Sequence, residues 1–419
     1  MDELVLWLWL SRACSPGSPT FARLLSRFSS VSEIYEADEN EIRKIVSSRL
    51  SDFSRLCDKD LSEARAIYDF CKSRGVGILK YDDSAFPHSL RIISTPPVLL
   101  YYRGTLPDFE RGFFCAAVGT RRLSDGGRRN AFRLGYDLAT AGTVLVSGMA
   151  LGIDGVAMAG AIAAGGTVVG VLGSGIDICY PKEHLTLARE IVKRGCILTE
   201  YAPGTPANKE NFPRRNRLIS GLSAACVVVE GRERSGALIT ARYAKEQKRT
   251  VFAFPGRVDE GNSQATNLLI KNGAHLCTGA DDIISEFEPH YHGVLNPFLL
   301  KSRLEVDMNA VLTALAVSAT APSDDIFRGR RNKSEKKRNE KEKKSVDKPI
   351  LREKPQSASR PTLRGAEGEL YDKIPAEGDS ALEALVSDGT DLRSVMRILL
   401  KLEMRGLVEM LPGERVRRT

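Results

Sequence analysis

The chain has 419 residues, of which 42% are hydrophobic and 27% are charged. This globular composition excludes a protein that is disordered throughout. At about 150 residues per domain, the length also excludes one small domain and predicts two or three. The formal net charge of +8 equals the excess of thirteen basic over five acidic residues in 328–354. Overall basicity therefore does not indicate that the folded domains bind nucleic acid.

The cysteines and histidines do not suggest metal or disulfide chemistry. Eight cysteines are scattered without a C-x-x-C pair, which is typical of reduced core residues in a cytosolic protein. The only close histidine pair, His290 and His292, lies outside any cysteine cluster, so we expect no metal site. The apolar run 4–10 follows two acidic residues, whereas a secretory signal begins with basic ones. A cytoplasmic protein without a membrane segment is predicted.

Residues 1–72 have helical apolar spacing and predict a small helical N-terminal domain. From 76 to 288, short apolar runs alternate with amphipathic stretches, which is typical of a mostly parallel sheet with helices on both faces. Strands are predicted at 113–118, 144–147, 168–172, 197–199, 225–229 and 251–254. Helices are predicted near 127–141, 155–164, 183–194, 214–221, 236–247 and 264–271. The predicted fold class of this core is doubly wound α/β.

Two further segments follow the predicted core. Residues 289–362 lose periodicity and are predicted to form a charged flexible linker, which is either a tether or a salt-sensitive contact for a polyanion. Within 366–419, a helix is predicted at 391–405, followed by a hairpin of strands 407–411 and 415–418 around Pro412 and Gly413. This arrangement predicts a winged-helix domain, which binds either nucleic acid or protein.

Five loops that follow predicted strands are rich in glycine. They begin at Gly119, Ser147, Gly173, Glu230 and Pro255. In an open α/β sheet such loops line the ligand crevice, and the free N–H groups at the start of the following helices favour an anion such as phosphate. With Arg121 in the first loop and Ser235-Gly236 at a predicted helix start in the fourth, the pattern predicts a phosphate groove. The alternative is that the glycines only make tight turns.

A second candidate motif is NFPRRNRLISGLS at 211–223. It places cations, an amide and an aromatic ring at one helix start, and suits a nucleotide strand because arginine pairs with phosphate and a ring stacks on an unpaired base. The alternative is a solvated basic helix start with the ring in the core, although cations oppose the dipole at that end. The residues concerned are Phe212, Arg214, Arg215, Asn216 and Arg217.

Several catalytic motifs are missing. No P-loop and no G-x-S-x-G elbow occur, and Gly173-Ser174-Gly175 reaches Ile178 where a dinucleotide-binding motif needs its third glycine. Asp154 could act as a base, or could cap a helix or organise its loop. Nothing in these motifs therefore demands catalysis, and no cofactor is expected.

The motifs together resemble the DprA family, also called Smf, of bacterial DNA-processing proteins. The ordered matches are GTR (119–121), SGMALGID (147–154), VLGSGID-x-x-YP (171–181), FPRRNRLISGLS (212–223), VVVEGRERSGALITA (227–241) and FAFPG (252–256). An upstream FP-x-x-LR-x-I-x-x-PPVLLY-x-RG (86–104) also matches. The resemblance implies an extended Rossmann-like core, a helical N-terminal domain similar to SAM or helix-hairpin-helix domains, and a C-terminal winged helix.

The resemblance also implies a function. The family binds and protects single-stranded DNA, loads the RecA recombinase onto it during natural transformation, forms homodimers through the core and is not regarded as enzymatic. Transferred by position, the phosphate-gripping residues are Gly119, Thr120, Arg121, Ser147 and Gly148. The motif from Phe212 to Arg217 would line the same pocket, supported by Ser235, Gly236 and Thr240.

The sequence departs from the family pattern at two positions. Leu151 and Met158 replace a family arginine and histidine, which predicts weaker or shifted binding at the second loop.

Two other functional hypotheses are open. One alternative is a phosphoribohydrolase-like enzyme that cleaves a nucleoside monophosphate, but its P-G-G-x-G-T-x-x-E motif has no glutamate in register within 230–241. Another is a nucleotide sensor whose winged helix acts as a repressor, which a preference for duplex DNA would favour.

Overall fold

The computed structural model describes residues 2–46, 50–233, 235–302, 306–317, 366–375, 379–385, 395, 398–399, 402, 407–411 and 415–418. The chain divides into two compact units, Met1–Lys336 and Lys337–Thr419. Among the described residues, no helix combines the length and the apolar character that a membrane span requires.

In the described part of the N-terminal region, six helices precede the first strand, as the predicted helical N-terminal region requires. They are α1 Glu3–Ala13, α2 Thr20–Leu25, α3 Val31–Glu36, α4 Glu39–Val46, α5 Leu50–Cys57 and α6 Ser62–Arg74. Asp2 caps α1 by accepting a hydrogen bond from the Leu4 N–H at 3.2 Å. Every residue from Val5 to Leu10 is buried, so α1 is the central helix of this region, as expected for a helix that is apolar on all sides. Its buried side chains continue into the core on one face of the sheet.

The sheet has nine strands in the order β1-β2-β6-β5-β4-β3-β7-β8-β9. Their bounds are β1 Gly77–Lys80, β2 Leu99–Gly104, β3 Phe114–Val118, β4 Val144–Ser147, β5 Val168–Val171, β6 Cys196–Thr199, β7 Ala225–Val228, β8 Thr250–Ala253 and β9 His275–Leu276. In the sheet order, every pair of neighbouring strands from β6 through β3 to β9 is parallel. Strand β2 is antiparallel to both of its neighbours, β1 and β6. The chain order reverses between β3 and β7, which is where this fold class binds ligands.

Helices cover both faces of the sheet. They are α7 His88–Arg91, α8 Asp125–Thr140, α9 Ile153–Ala163, α10 Leu185–Arg194, α11 Asn211–Leu222, α12 Gly236–Glu246, α13 Gln264–Lys271 and α14 Ala280–Phe287. Along β3, Cys115 and Ala117 face one core, and Phe114, Ala116 and Val118 face the other. The fold class is therefore confirmed as a Rossmann-like α/β core, and each predicted strand is within one residue of its observed bounds. The sequence missed β1, β2 and β9.

The predicted flexible linker is wrong at its start. Residues 288–290 and 297–302 form short 3-10 helices, and Leu295 and Leu300 between and within them are buried in the core. A further helix, α15 Met308–Val317, packs against α9 and α10. Leu295 and Leu300 are too few and too far apart for periodicity to reveal them, whereas the largely apolar α15 was overlooked. Residues 318–365, including the basic run, lie outside the described residues.

The second unit contains α16 Ala366–Lys373 and a three-stranded sheet ordered β10-β12-β11. Its strands are β10 Asp379–Ala381, β11 Val408–Leu411 and β12 Arg415–Arg418. The predicted hairpin is present, since β11 and β12 pair antiparallel, but β10 was not predicted. Most of the predicted helix 391–405 lies outside the described residues, although Val395, Leu399 and Leu402 are buried in this unit's core. The winged-helix assignment stays a prediction.

Candidate functional site

A cleft of about 560 Å³ opens where β3 and β7 end. It therefore lies at the reversal of strand order, beyond the carboxyl ends of the parallel strands. Eight of the thirteen predicted site residues line it: Gly119, Arg121, Phe212, Arg215, Asn216, Ser235, Gly236 and Thr240.

The first wall is the loop that follows β3. A Cβ at Gly119 would lie 2.5 Å from Ile153 Cγ1, so only glycine fits there. Thr120 does not line the cleft. Instead, its Oγ1 accepts a hydrogen bond from the Arg122 N–H at 3.1 Å, and its own N–H donates to the Glu230 carbonyl at 2.8 Å. Thr120 thus shapes the turn, which leaves the Arg121 side chain exposed at the cleft.

The second wall carries an aromatic pair with a cation over it. Phe212, in the first turn of α11, lies 5.4 Å from Tyr180 between ring centroids. The guanidinium carbon of Arg121 is 5.4 Å from the Phe212 centroid, within the range of a cation–π contact. Tyr180 is 45% exposed. The site therefore presents open ring surface beside an exposed positive charge.

Arg215 lies in the floor of the cleft. It is buried, and its Nη1 donates to the carbonyls of Gly148, at 2.8 Å, and Val171. Burial, partly offset by the charge of Asp154, lowers the pKa of Arg215 to about 10, so it stays protonated at neutral pH. Burial also raises the pKa of Asp154, against the effect of Arg215. The Asp154 carboxylate accepts the Gly148 N–H at 3.1 Å, so Asp154 organises the loop.

The third wall is the start of α12. Ser235 caps this helix by accepting the Ala237 N–H at 3.3 Å. Gly236 and Thr240 follow on the cleft side, and the Asn216 Nδ2 approaches the Gly236 carbonyl at 3.5 Å. A helix N-terminus with free N–H groups attracts an anion. This wall and Arg121 therefore suit a phosphate group.

Four more predicted residues are not brought to the cleft surface. Ser147 is fully buried and donates to the Ala117 carbonyl at 2.6 Å, and Gly148 lies beneath Arg215. Arg214 is exposed outside the cleft. Arg217 points away from it and pairs with Glu200, with Nη2 2.6 Å from Oε2. Arg217 is thus a structural residue, because α11 turns it to the opposite side from the cleft.

Met158 and Leu151, the two departures from the family pattern, lie in different surroundings. Met158 is fully buried in the core. Its replacement of a histidine therefore does not remove an imidazole from the cleft surface of this chain. Leu151 is 43% exposed and does not line the cleft. Among the polar residues that line the cleft, the sequence missed two, Tyr180 and the exposed Lys209. Tyr180 lies within a glycine-rich motif, whereas no pattern marked Lys209.

Fold and site together define a class: a Rossmann-like protein with a cationic, aromatic cleft at the strand-order reversal. The model of the family DNA recombination-mediator protein A matches residues 77–288. DNA processing protein DprA of Bacillus subtilis is 37% identical over 54% of this chain and 76% of its own length, and protein Smf of Synechocystis is 32% identical over 68% and 72%. The chain belongs to the DprA (Smf) family of DNA-processing proteins.

A solved structure of a relative agrees with this assignment. DNA processing protein A from Streptococcus pneumoniae superimposes with a TM-score of 0.59 at 32% identity, covering 67% of this chain and 96% of that one. DNA processing protein A from Helicobacter pylori, described as having a unique single-stranded DNA binding mode, gives a TM-score of 0.48 at 29% identity over 52% and 97%.

Proposed function

We propose that the cleft binds single-stranded DNA. The observation that carries this proposal is the exposed Arg121 guanidinium over the Phe212 ring, with Tyr180 beside it. A phosphate at Arg121 and the start of α12 places the attached base within reach of the rings. Bases in a duplex are stacked on each other and offer no free face, so this combination favours an unpaired strand.

The charge of the cleft supports the same function. Lys209 and Arg121 are exposed, while Asp154, the acidic residue among those lining the cleft, is buried beside Arg215. A polyanion therefore meets positive charge at the entrance. Among the described residues, no group of three or more His, Cys, Asp or Glu could hold a metal ion. The proposed binding uses only the chain's own side chains and backbone.

We propose further that the bound strand is protected and passed to RecA, as in natural transformation, and that the protein acts in the cytoplasm without catalysing a reaction. The description of the matching family, a recombination mediator, supports this role. The test is the rate at which RecA assembles on oligonucleotide coated with single-strand-binding protein. Acceleration by the full chain is expected, and no acceleration would contradict the mediator role.

We also propose a homodimer formed through the core. The edge strand β9 exposes Leu276 (53%), and α13 exposes Leu268, so this edge offers apolar surface to a second copy. Light scattering after gel filtration should give twice the chain mass, and Leu276→Lys should give the chain mass. A monomeric wild-type protein would contradict the dimer.

The binding proposal is tested by fluorescence anisotropy of the full chain with a labelled oligothymidylate in a salt series. Unlabelled oligothymidylate, duplex of equal length and nucleoside monophosphates serve as competitors. We expect the single strand alone to compete strongly. Competition by a mononucleotide would favour a phosphoribohydrolase-like enzyme or sensor, and preference for duplex would favour the sensor with a winged-helix repressor.

A further inference from the structure

The loop that joins α1 to α2 lies against the back of the cleft helix α11. Gly17, at φ +72°, has the Arg217 Nε 3.5 Å and the Arg214 Cβ 3.7 Å from the position that a Cβ would occupy. The loop Ser15–Ser18 also borders the same small void as Glu200 and Arg217. A segment of the N-terminal helical region therefore touches the helix that carries Phe212 and Asn216.

The contact covers a buried ion pair. The side chains of Arg217 and Glu200 are 2% and 5% exposed. Among the described residues, Arg217 Nε and Nη1 and Glu200 Oε1 have no hydrogen-bond partner. A buried pair that is only partly hydrogen-bonded depends on its geometry and on exclusion of water. Since Glu200 directly follows β6, the pair ties α11 to the sheet.

The loop is itself held in one conformation by Asp52. This fully buried carboxylate accepts hydrogen bonds from Ser15 Oγ at 2.5 Å, Ser18 Oγ at 3.0 Å and Thr20 Oγ1 at 2.6 Å, and pairs with Arg55 at 2.7 Å. Burial alone would raise the pKa of Asp52, but these hydrogen bonds and the Arg55 charge outweigh burial and lower that pKa. The carboxylate is thus kept ionised and the loop is rigidly anchored.

We propose that the loop Ser15–Ser18, anchored by Asp52, positions helix α11 for DNA binding by covering the Arg217–Glu200 pair. This inference rests on the proposed single-stranded DNA function. Arg215 and Arg217 project from opposite sides of α11, because two residues correspond to about 200° of helical rotation. A shift of the loop therefore displaces the side of α11 that carries Arg217. Because the helix is rigid, Phe212 and Asn216 move with it.

The test compares two glycines that share a backbone conformation but differ in surroundings. Gly17→Ala strains the loop backbone at φ +72°, where the added Cβ makes ordinary van der Waals contact with Arg217. Gly75→Ala imposes the same strain at φ +60°, where no atom lies within 4 Å. Both variants carry a similar backbone penalty. In the full chain we expect Gly17→Ala to weaken oligothymidylate binding about threefold to tenfold relative to Gly75→Ala. Equal affinities would overturn the proposal.

A second readout does not require DNA. Amide hydrogen exchange in 211–222 should be faster in Gly17→Ala than in Gly75→Ala, and equal exchange would overturn the positioning role. If the wild-type protein fails to bind the oligonucleotide, the proposed function is wrong, while the exchange comparison still decides the role of the loop. Should Gly17→Ala not fold, Ser18→Ala, which removes one donor to Asp52, is compared with Ser73→Ala on the exposed side of α6.

Discussion

Helix α11 carries three arginines within four residues, and their surroundings are entirely different. Arg214 is exposed, Arg215 is buried in the cleft floor on backbone carbonyls, and Arg217 is buried on the far side against Glu200. Successive residues of a helix are rotated by about 100° about its axis. One short motif therefore supplies side chains both to the cleft and to the buried contact with the rest of the fold. A cluster of cations in sequence is therefore not a cluster in space.

The largest effect should come from the far side of α11. Arg217→Ala leaves the Glu200 carboxylate buried without its cation, and we expect a loss of about 3–5 kcal/mol in the free energy of unfolding. Urea denaturation measures this loss. The control is the double variant Arg217→Met with Glu200→Met, which removes both charges and should be clearly more stable than Arg217→Ala. A double variant no more stable than the single one would contradict the paired role.

The same variant should show a pH dependence of known sign. Burial raises the pKa of Glu200, against the influence of Arg217, so removing Arg217 raises it further. A carboxyl whose folded pKa is raised favours folding at low pH, and this contribution is lost as pH rises through the folded pKa. The stability deficit of Arg217→Ala should therefore be smaller at about pH 5 than at about pH 8. A deficit that grows at low pH would contradict this account.

On the cleft side, Arg121→Ala should weaken single-stranded DNA binding about tenfold and reduce the salt slope by about one. Because the side chain is exposed, the free energy of unfolding should change by less than about 0.5 kcal/mol. Anisotropy in a salt series and urea denaturation of the same samples measure both quantities. Unchanged affinity would remove Arg121 from the binding site.

Arg214→Ala is the matched control for Arg121→Ala, since it removes an exposed arginine outside the cleft. We expect less than about a twofold change in affinity, because an exposed cation away from the contact contributes little. The same anisotropy series measures it. An effect as large as that of Arg121→Ala would place the strand across the outer side of α11.

The smallest effect should come from deleting 328–361. If the cleft dominates binding, loss of the basic segment should lower the salt slope only modestly. Anisotropy of the deletion variant measures this change. Loss of nearly all binding would instead place the function in that segment.

The sequence predicts the parallel part of the sheet well and its edges poorly. Strands β3 to β8 are buried, and hence read as continuous apolar runs. By contrast, β1 is a four-residue edge strand with one buried residue, and both residues of β9 are exposed, so neither strand gives a buried apolar run. The 3-10 turns at 288–302 likewise have no periodic pattern. Strand β2 does carry an apolar run, Leu99–Tyr102, which the prediction from sequence overlooked.

The candidate site likewise divides into residues that a local sequence pattern predicts and residues whose contacts depend on tertiary structure. The loops at Gly119 and Ser235 were predictable because strand ends at a reversal of order converge. The position of Arg217 away from the cleft was not predictable, because its partner Glu200 is distant in sequence and spacing alone does not reveal which side of a helix is covered. The pairing of Tyr180 with Phe212 depends on tertiary structure for the same reason.

The most direct test of the binding site is photo-crosslinking of the full chain to an oligonucleotide that contains 5-bromodeoxyuridine, followed by mass spectrometry. Stacking of a base on the aromatic pair predicts cross-links at Tyr180 or Phe212, and their loss in Arg121→Ala. Cross-links confined to 328–361 or 366–419 would contradict binding in the cleft.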